Sequence, residues 1–491
     1  MKVCVLQPDY STSNVDYKNY DPPRDLARLL PDDTVDHVAL NKLTTYRQLR
    51  DLSTQGYDVF VNLCEGYLEW DVPSIDVVDT LERLNLPFTG PVSKLYHVPK
   101  PLMKYVAYTA GVTTPRHALV RHAPEAHGLT SGLRYPLFVK PSHAGDSLGI
   151  DERSLVRDPA DLEPQVARIL ADYPEVLIEE FIEGREFTVL VLGAIEEKGD
   201  PVALTPVEFV FPADTHFKTY AFKTSELHPD ANVPVRDGDL AARLKDAAIK
   251  VFRAFGGMGY ARMDFRCDAG GTIHFLEVNF TCSVFYQDGY EGSADYVLAH
   301  DGMGQAGFAQ HIIAEAIARH RRAQPPYAMQ GNAISGYGIF ATRDLEPGDL
   351  VFRGEERAQR VVTARHVDRT WHADDRSMLR RYGYPLGNDL FVLWDDDPTQ
   401  WAPTNHSCEP NAAFDGLNVV AMRRVRRGEE ITLDYGAFLD EASEPFRCTC
   451  GAVSCRGLVK GSRGTSVAAP PRPARKRRSA RTPVGVSRSP D

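Results

Sequence analysis

Two groups of residues in this 491-residue chain have types and spacings that can do chemistry. In the first, Cys448, Cys450 and Cys455 fall within "CTCGAVSC", and a fourth cysteine, Cys408, lies about forty residues earlier in "NHSCEPN". Zinc takes four tetrahedral ligands and binds thiolates well. A C-x-C-x4-C hook can wrap three sulfurs around one ion, and Cys408 can bring the fourth from the body of the domain. The second group lies in "MDFRCDAGGTIHFLEVNF", which reads as two strands around a Gly-Gly turn. Asp264 is on one strand, with Glu277 and Asn279 on the next. Glu277 and Asn279 are two apart and share a face. Such oxygen donors suit Mg²⁺, which also takes water and nucleotide phosphates. "FVKPSHAGDSLG" adds Lys140 and a small-residue loop from Ser142 to Gly149. Its backbone N–H groups suit phosphate.

These residues need two different frames. The first ninety residues alternate strand and helix: "KVCVLQP" and "DVFVNLC" are short apolar runs, and "SIDVVDTLERLNL" has helical spacing. That pattern predicts a parallel sheet with packed helices. Between Pro91 and Arg322 strands and helices mix. "EVLIEEFIEGREFTVLVLG" predicts two strands around a Gly turn, and "DLAARLKDAAIKVFRAFG" an amphipathic helix with a glycine cap. "GFAQHIIAEAIARHRR" predicts a closing helix, and "AQPPY" a break. The expected division is an α/β domain at 1–90, a second domain at 91–322, a linker at 323–327, a β-rich domain at 328–440, a cysteine hook at 441–461 and a tail at 462–491.

Composition excludes some classes of function. The net charge of −11 argues against nucleic-acid binding by the folded body. No apolar run reaches eighteen residues, so no membrane partner is expected. The N-terminus lacks the apolar core of a signal peptide. Four scattered cysteines and four clustered ones fit a reducing, cytoplasmic compartment better than a disulfide framework. The tail holds eight Lys/Arg and one Asp and has almost nothing to bury, so it is expected to be disordered. Nucleic-acid contact is left to that tail alone.

Residues 328–461 resemble a SET domain with a post-SET zinc hook. The matching stretches are "SGYGIFATRDLEPGDLVF", "NHSCEPN", "RRGEEITLDYG" and "CTCGAVSCRG", in the family's order. The resemblance implies a mostly-β fold with a pseudo-knot and methyl transfer from S-adenosylmethionine to a lysine amine on a protein or peptide. It assigns Gly336, Tyr337 and Gly338 to the cofactor, with Asn405 and His406 holding its adenosine part. Tyr435 would orient the amine. The two glycines let the backbone approach a ligand closely. The family's Arg-Phe pair before Asn-His is replaced here by "WAPTNHSC".

The first 320 residues resemble the α/β ATP-grasp fold, in its D-alanine:D-alanine ligase branch. "VLIEEFIEGREFTVLVLG" and "GYARMDFRCDAGGTIHFLEVN" carry the likeness. It implies that ATP phosphates meet Lys104, Lys140, Ser147 and Lys223. Adenine would lie along the backbone of Glu180 and Ile182, with ribose on Glu186. Asp264, Glu277 and Asn279 would hold magnesium, and Arg262 would stabilise the oxyanion. The substrate-gripping motifs differ: "LQPDYSTSNVDY", "LCEGYLEWDVPSID" and "NFTCSVFYQDGY" stand in their places. Ser283, Tyr286 and Tyr290 are candidates for meeting a different small-molecule amino-acid or peptide substrate. The expected function is bifunctional: an ADP-forming carboxylate–amine ligase joined to a lysine-type methyltransferase. The alternative is a protein-lysine methyltransferase carrying a non-catalytic nucleotide-binding module.

Overall fold

The computed structural model describes residues 1–13, 21–67, 70–143, 148–211, 217, 231–332, 336–356, 358–387, 389–394, 403–440, 443 and 445–461. The expected tail at 462–491, Ser147 and Lys223 lie outside these. The chain divides into two compact units, the first being Met1–Ala323 and the second beginning at Gln324.

In the first unit, β1 (Lys2–Pro8), β2 (Thr34–Leu40) and β3 (Val59–Asn62) form a parallel sheet in the order β2-β1-β3. Successive side chains of a strand point to opposite faces. Val3 and Val5 of β1 accordingly join one core, and Cys4 and Leu6 another. Both faces are covered, as an apolar parallel sheet requires. The core on the Val3 side also holds Leu190, Leu192, Phe308 and Ile312. Residues 1–90 and 91–322 therefore share one core.

Two antiparallel sheets follow. β4 (His117–Val120), β5 (Leu137–Pro141), β6 (Leu155–Val156) and β7 (Val176–Glu180) form one in the order β4-β7-β5-β6. β8 (Arg185–Leu192), β9 (Val202–Ala203), β10 (Val207–Phe209), β11 (Asn232–Pro234), β12 (Tyr260–Cys267) and β13 (Ile273–Asn279) form the other. The β12–β13 pair is the hairpin expected from its alternation and Gly-Gly turn. β7 and β8 are both strands, with Gly184 between them at φ +142°, but they belong to different sheets. The Gly turn is therefore a crossing point. The helix Gly238–Ala254 is capped by the Asp237 carboxylate, which accepts from the Asp239 and Leu240 N–H groups. The helix Gly304–Ala323 closes the unit.

The second unit is mostly β. β14 (Tyr327–Asn332), β15 (Gly336–Ala341), β16 (Leu350–Phe352), β17 (Gln359–Thr363), β18 (Tyr384–Gly387), β19 (Leu390–Trp394), β20 (Asn405–His406), β21 (Ala412–Asp415), β22 (Asn418–Ala421) and β23 (Glu430–Leu433) make three small sheets. Their orders are β14-β15-β23-β20, β16-β22-β21 and β17-β19-β18. The short parallel pairing of β20 with β23 brings Asn405 beside Thr432 and His406 beside Leu433. That register puts the Asn-His segment next to the strand leading into Tyr435.

Candidate active sites

In the first unit the β12–β13 register sets the site. Asp264 lies opposite Glu277, and Arg262 opposite Asn279. Opposed residues of an antiparallel pair, and residues two apart, share a face. All four side chains therefore occupy one side of the sheet. Asp264 accepts from Thr188 Oγ1 on β8 at 2.8 Å and from Arg262 Nη2 at 3.2 Å. Lys100 Nζ lies 3.1 Å from Glu277 Oε2 and is itself buried. Sequence reasoning missed Lys100. The signal available was its place one helical turn before Lys104 in "KPLMKYV".

Beside this face sits a buried triad. Glu179 is 2.6 Å from both Lys104 Nζ and Lys140 Nζ, and all three side chains are at most 7% exposed. Strand alternation on β7 gives neighbours opposite fates. Glu179 points inward to the lysines, while Glu180 turns to Arg134 at 3.0 Å and Arg116 at 3.5 Å. Burial alone would raise the Glu179 carboxyl, but the two ammonium groups outweigh it and hold it down at about 2. Burial lowers Lys104 despite Glu179, whereas at Lys140 burial is overcome by Glu179 and Glu277 and the ammonium is held up.

Lys140, Glu179, Glu186, Arg262, Asp264 and Glu277 line one cavity whose remaining wall includes Phe138, Phe181 and Phe217. The three rings pack with centroids 5.0 to 6.3 Å apart. Arg266 lies 4.5 Å over Phe181, donates to Glu186 at 3.2 Å and donates to the Ile182 carbonyl at 2.8 Å. The Glu180 N–H donates to the Arg116 carbonyl at 2.9 Å. Among the residues lining the cavity, the cations are Lys140, Arg262 and Arg266 and the carboxylates Glu179, Glu180, Glu186, Asp264 and Glu277. Arg262 Nε and Asn279 Nδ2 are buried with no hydrogen-bond acceptor among the described residues. The aromatic rings, the lining cations and two unmatched buried donors fit a nucleotide polyphosphate. The carboxylates opposed across β12–β13 fit the magnesium it carries.

The loop after β13 does not present its three candidates equally. Ser283 Oγ donates to Glu65 Oε2 at 2.7 Å, and Tyr286 OH to Asp21 Oδ1 at 2.6 Å. Tyr290 is 49% exposed. Between Asp21 and Glu65 lies Arg24, 2% exposed, 3.2 Å from the first and 3.4 Å from the second. Sequence reasoning missed Asp21, Arg24 and Glu65, because the loop residues they meet stand more than two hundred positions away.

In the second unit Asn405 Nδ2 donates to the Tyr337 carbonyl at 2.9 Å and to Glu430 Oε1 at 2.7 Å. A Cβ on Gly338 would collide with Glu430 and Asn405, so protein groups already fill the space beside that glycine. Gly336 has φ +93° with open space around it. Tyr337 is exposed. His406 Nδ1 accepts the Tyr435 N–H at 3.1 Å. Its other nitrogen lies 3.4 Å from Cys408 Sγ. Tyr435 OH donates to the Thr404 carbonyl at 2.6 Å, and its ring packs against Phe438 and Phe446.

The four sulfurs of Cys408, Cys448, Cys450 and Cys455 all lie within 4.8 Å of one another. The Cys408 and Cys448 sulfurs are 3.9 Å apart. Two thiolates on tetrahedral zinc stand about 3.8 Å apart, given Zn–S bonds of about 2.3 Å. Cys408 Sγ also receives the Arg456 N–H at 3.3 Å, and Cys450 Sγ the Cys408 N–H at 3.4 Å. Such donors offset thiolate charge, so the set fits zinc.

The D-ala D-ala ligase C-terminus family matches residues 106–284, and the SET domain family matches residues 336–436. The D-alanine--D-alanine ligase of Bordetella petrii is 31% identical over 239 residues, which are 48% of this chain and 70% of that protein. The chain belongs to the D-alanine–D-alanine ligase family. It also carries a SET domain. The uncharacterized protein y4sG of Sinorhizobium fredii is 33% identical over 224 residues, 44% of this chain and 63% of its own length. The D-alanine--D-alanine ligase of Chlorobaculum parvum is matched over 55% of its length, so relatives extend beyond the shared region.

The triad yields a stability prediction. A depressed carboxylate stabilises the fold above its unfolded value and loses that contribution as pH falls through its folded value. The window here runs from about 4.5 down to about 2. Glu179→Gln leaves two buried ammonium groups without their counter-charge. It should lose roughly 3–5 kcal/mol at neutral pH, and its acid limb should flatten across the same window. Urea unfolding as a function of pH measures both.

Proposed function

We propose that this chain is a bifunctional enzyme. One site is an ADP-forming carboxylate–amine ligase, and the other a SAM-dependent methyltransferase of the lysine-modifying kind. The observation that carries the ligase half is the convergence of Asp264, Glu277, Asn279 and Arg262 on one sheet face beside the Lys104–Glu179–Lys140 triad. Asp264, Glu277 and Asn279 would hold magnesium, which when bound neutralises and aligns the phosphates of ATP. Lys104 and Lys140 would bind those phosphates, and Lys223 and Ser147 are proposed to join them. The aromatic wall would receive adenine, with Glu180 and Ile182 contributing backbone and Glu186 the ribose contact.

In the reaction a substrate carboxylate takes the γ-phosphoryl group, giving an acyl phosphate and ADP. An amine then attacks, an amide forms and phosphate leaves. Arg262 would steady the oxyanion of that attack. Asp21 and Glu65 flank the buried Arg24 beside Ser283 and Tyr286. We assign an ammonium-bearing amino acid or short peptide to this cluster. The relatives named D-alanine--D-alanine ligase support this substrate class.

In the SET half, Gly336, Tyr337 and Gly338 with Asn405 and His406 are the proposed cofactor contacts. The Asn405 and His406 side chains are committed to Tyr337, Glu430 and Tyr435. They would therefore serve the cofactor through their backbones. Tyr435, at the end of the β23 segment, would orient the acceptor amine. A narrow apolar surround disfavours the charge of that amine and readies it for in-line attack. The cysteine set would be a structural zinc site that fixes the hook to the Asn-His segment.

Two measurements check this reading. Purified protein with Mg-ATP should release ADP in the presence of particular amino acids, and Glu277→Gln should abolish that release. ATP binding without turnover on any amino acid or pair would favour the methyltransferase with a non-catalytic nucleotide module. Elemental analysis should find one zinc per chain, and Cys408→Ser should lose both zinc and methyl transfer. Full zinc content in Cys408→Ser would exclude the four-sulfur site.

A further inference from the structure

Asp295 is 3% exposed, and its carboxylate is shared between one loop and Gln305 of the closing helix. Oδ1 accepts the Phe285 N–H at 2.8 Å and Gln305 Nε2 at 2.8 Å. Oδ2 accepts the Gly292 N–H at 3.2 Å and the Tyr286 N–H at 3.4 Å. Gln305 Nε2 also donates to the Tyr286 carbonyl at 3.0 Å, and Arg28 holds Gln305 Oε1 at 2.8 Å. One buried carboxylate thus ties together both ends of the segment from Phe285 to Gly292.

That segment contains a strained residue. Phe285 has φ +72°, a conformation that bulky side chains rarely adopt. Its ring is 1% exposed and packs 5.5 Å from Phe308 in the core. Such a backbone persists only where its surroundings over-determine it. Here the ring is anchored below and the N–H is held by Asp295. The consequence lies on either side of Phe285. Ser283 reaches Glu65, Tyr286 reaches Asp21, and Arg24 stacks 4.9 Å over the Tyr286 ring. At the other end of the clamp, Ser293 follows Gly292 and lines the cavity shared by Arg262 and Glu277.

We propose that Asp295 is a positioning residue of the ligase half. It fixes Ser283 and Tyr286 in the acceptor wall relative to Ser293 at the edge of the nucleotide cavity. Through them it sets affinity for the ammonium-bearing substrate and leaves nucleotide affinity alone. This inference rests on the ligase reading above.

The test compares wild type with Asp295→Asn and Gln305→Ala in the full chain. Gln305→Ala keeps the buried carboxylate and removes only its outer support, so it carries the test if Asp295→Asn does not fold. Two readouts are taken. Amide exchange in the peptide spanning Phe280–Gly292 should speed up about tenfold or more in the variants, because its held N–H groups are released. The KM for an amino-acid substrate, chosen by ADP release from a panel of the common L-amino acids and D-alanine, should rise about tenfold. KM for ATP should stay within about twofold of wild type. Unchanged exchange, an unchanged amino-acid KM, or equal losses for ATP and amino acid would each overturn the positioning role while wild-type turnover left the ligase reading standing. Absence of wild-type turnover across the panel would instead remove the ligase reading, and this inference with it.

Discussion

A carboxylate held between two ammonium groups in a dry interior is the constraint on which the first unit depends. Removing three charges from water is costly, and only close geometry offsets it. Glu179 is on β7, Lys140 on the neighbouring β5, and Lys104 on the helix Lys100–Thr109. The triad is satisfied only when that helix lies against the small antiparallel sheet in one register. The same helix carries Lys100 to Glu277 on the other sheet. One short helix thus ties the lysines proposed to bind phosphate to the carboxylates proposed to bind metal. Along the cavity lining carboxylates outnumber cations, a balance that suits a polyanion accompanied by magnesium.

The second unit applies similar reasoning with sulfur. Among residues 446–461 only Val459 is buried. Four thiols within 4.8 Å would repel one another as thiolates unless a cation joined them. Arg456 and the backbone N–H groups around Cys408 and Cys450 point donors at those sulfurs. Because His406 contacts both Cys408 and the Tyr435 N–H, the cysteine set and the proposed transfer site are mechanically linked.

What could be read from sequence follows the range of the interactions. The β12–β13 hairpin was legible because alternation and a Gly-Gly turn are local, and it placed Asp264, Glu277 and Asn279 together. The cysteine hook was legible because its spacing is itself the chemistry. Lys100 was not, since a lysine on a helix ordinarily faces solvent and only the tertiary fold brings Glu277 to it. The wall of Asp21, Arg24 and Glu65 was hidden for the same reason: Arg24 meets the Val284 carbonyl across 260 positions. The turn at Gly184 was legible, but not its consequence, because the pattern of two strands does not say that they join different sheets. Gly338 reads as room for a ligand, yet Glu430 and Asn405 fill the space beside it.

The central claim is that the cavity of the first unit binds a nucleotide. Calorimetric titration of ATP with magnesium into the full chain, beside Lys140→Met, tests this most directly. The account predicts one ATP per chain in the wild type and an affinity at least about tenfold weaker in Lys140→Met, from loss of a buried charged contact. Equal affinity in the two proteins, or no binding in the wild type, would contradict it.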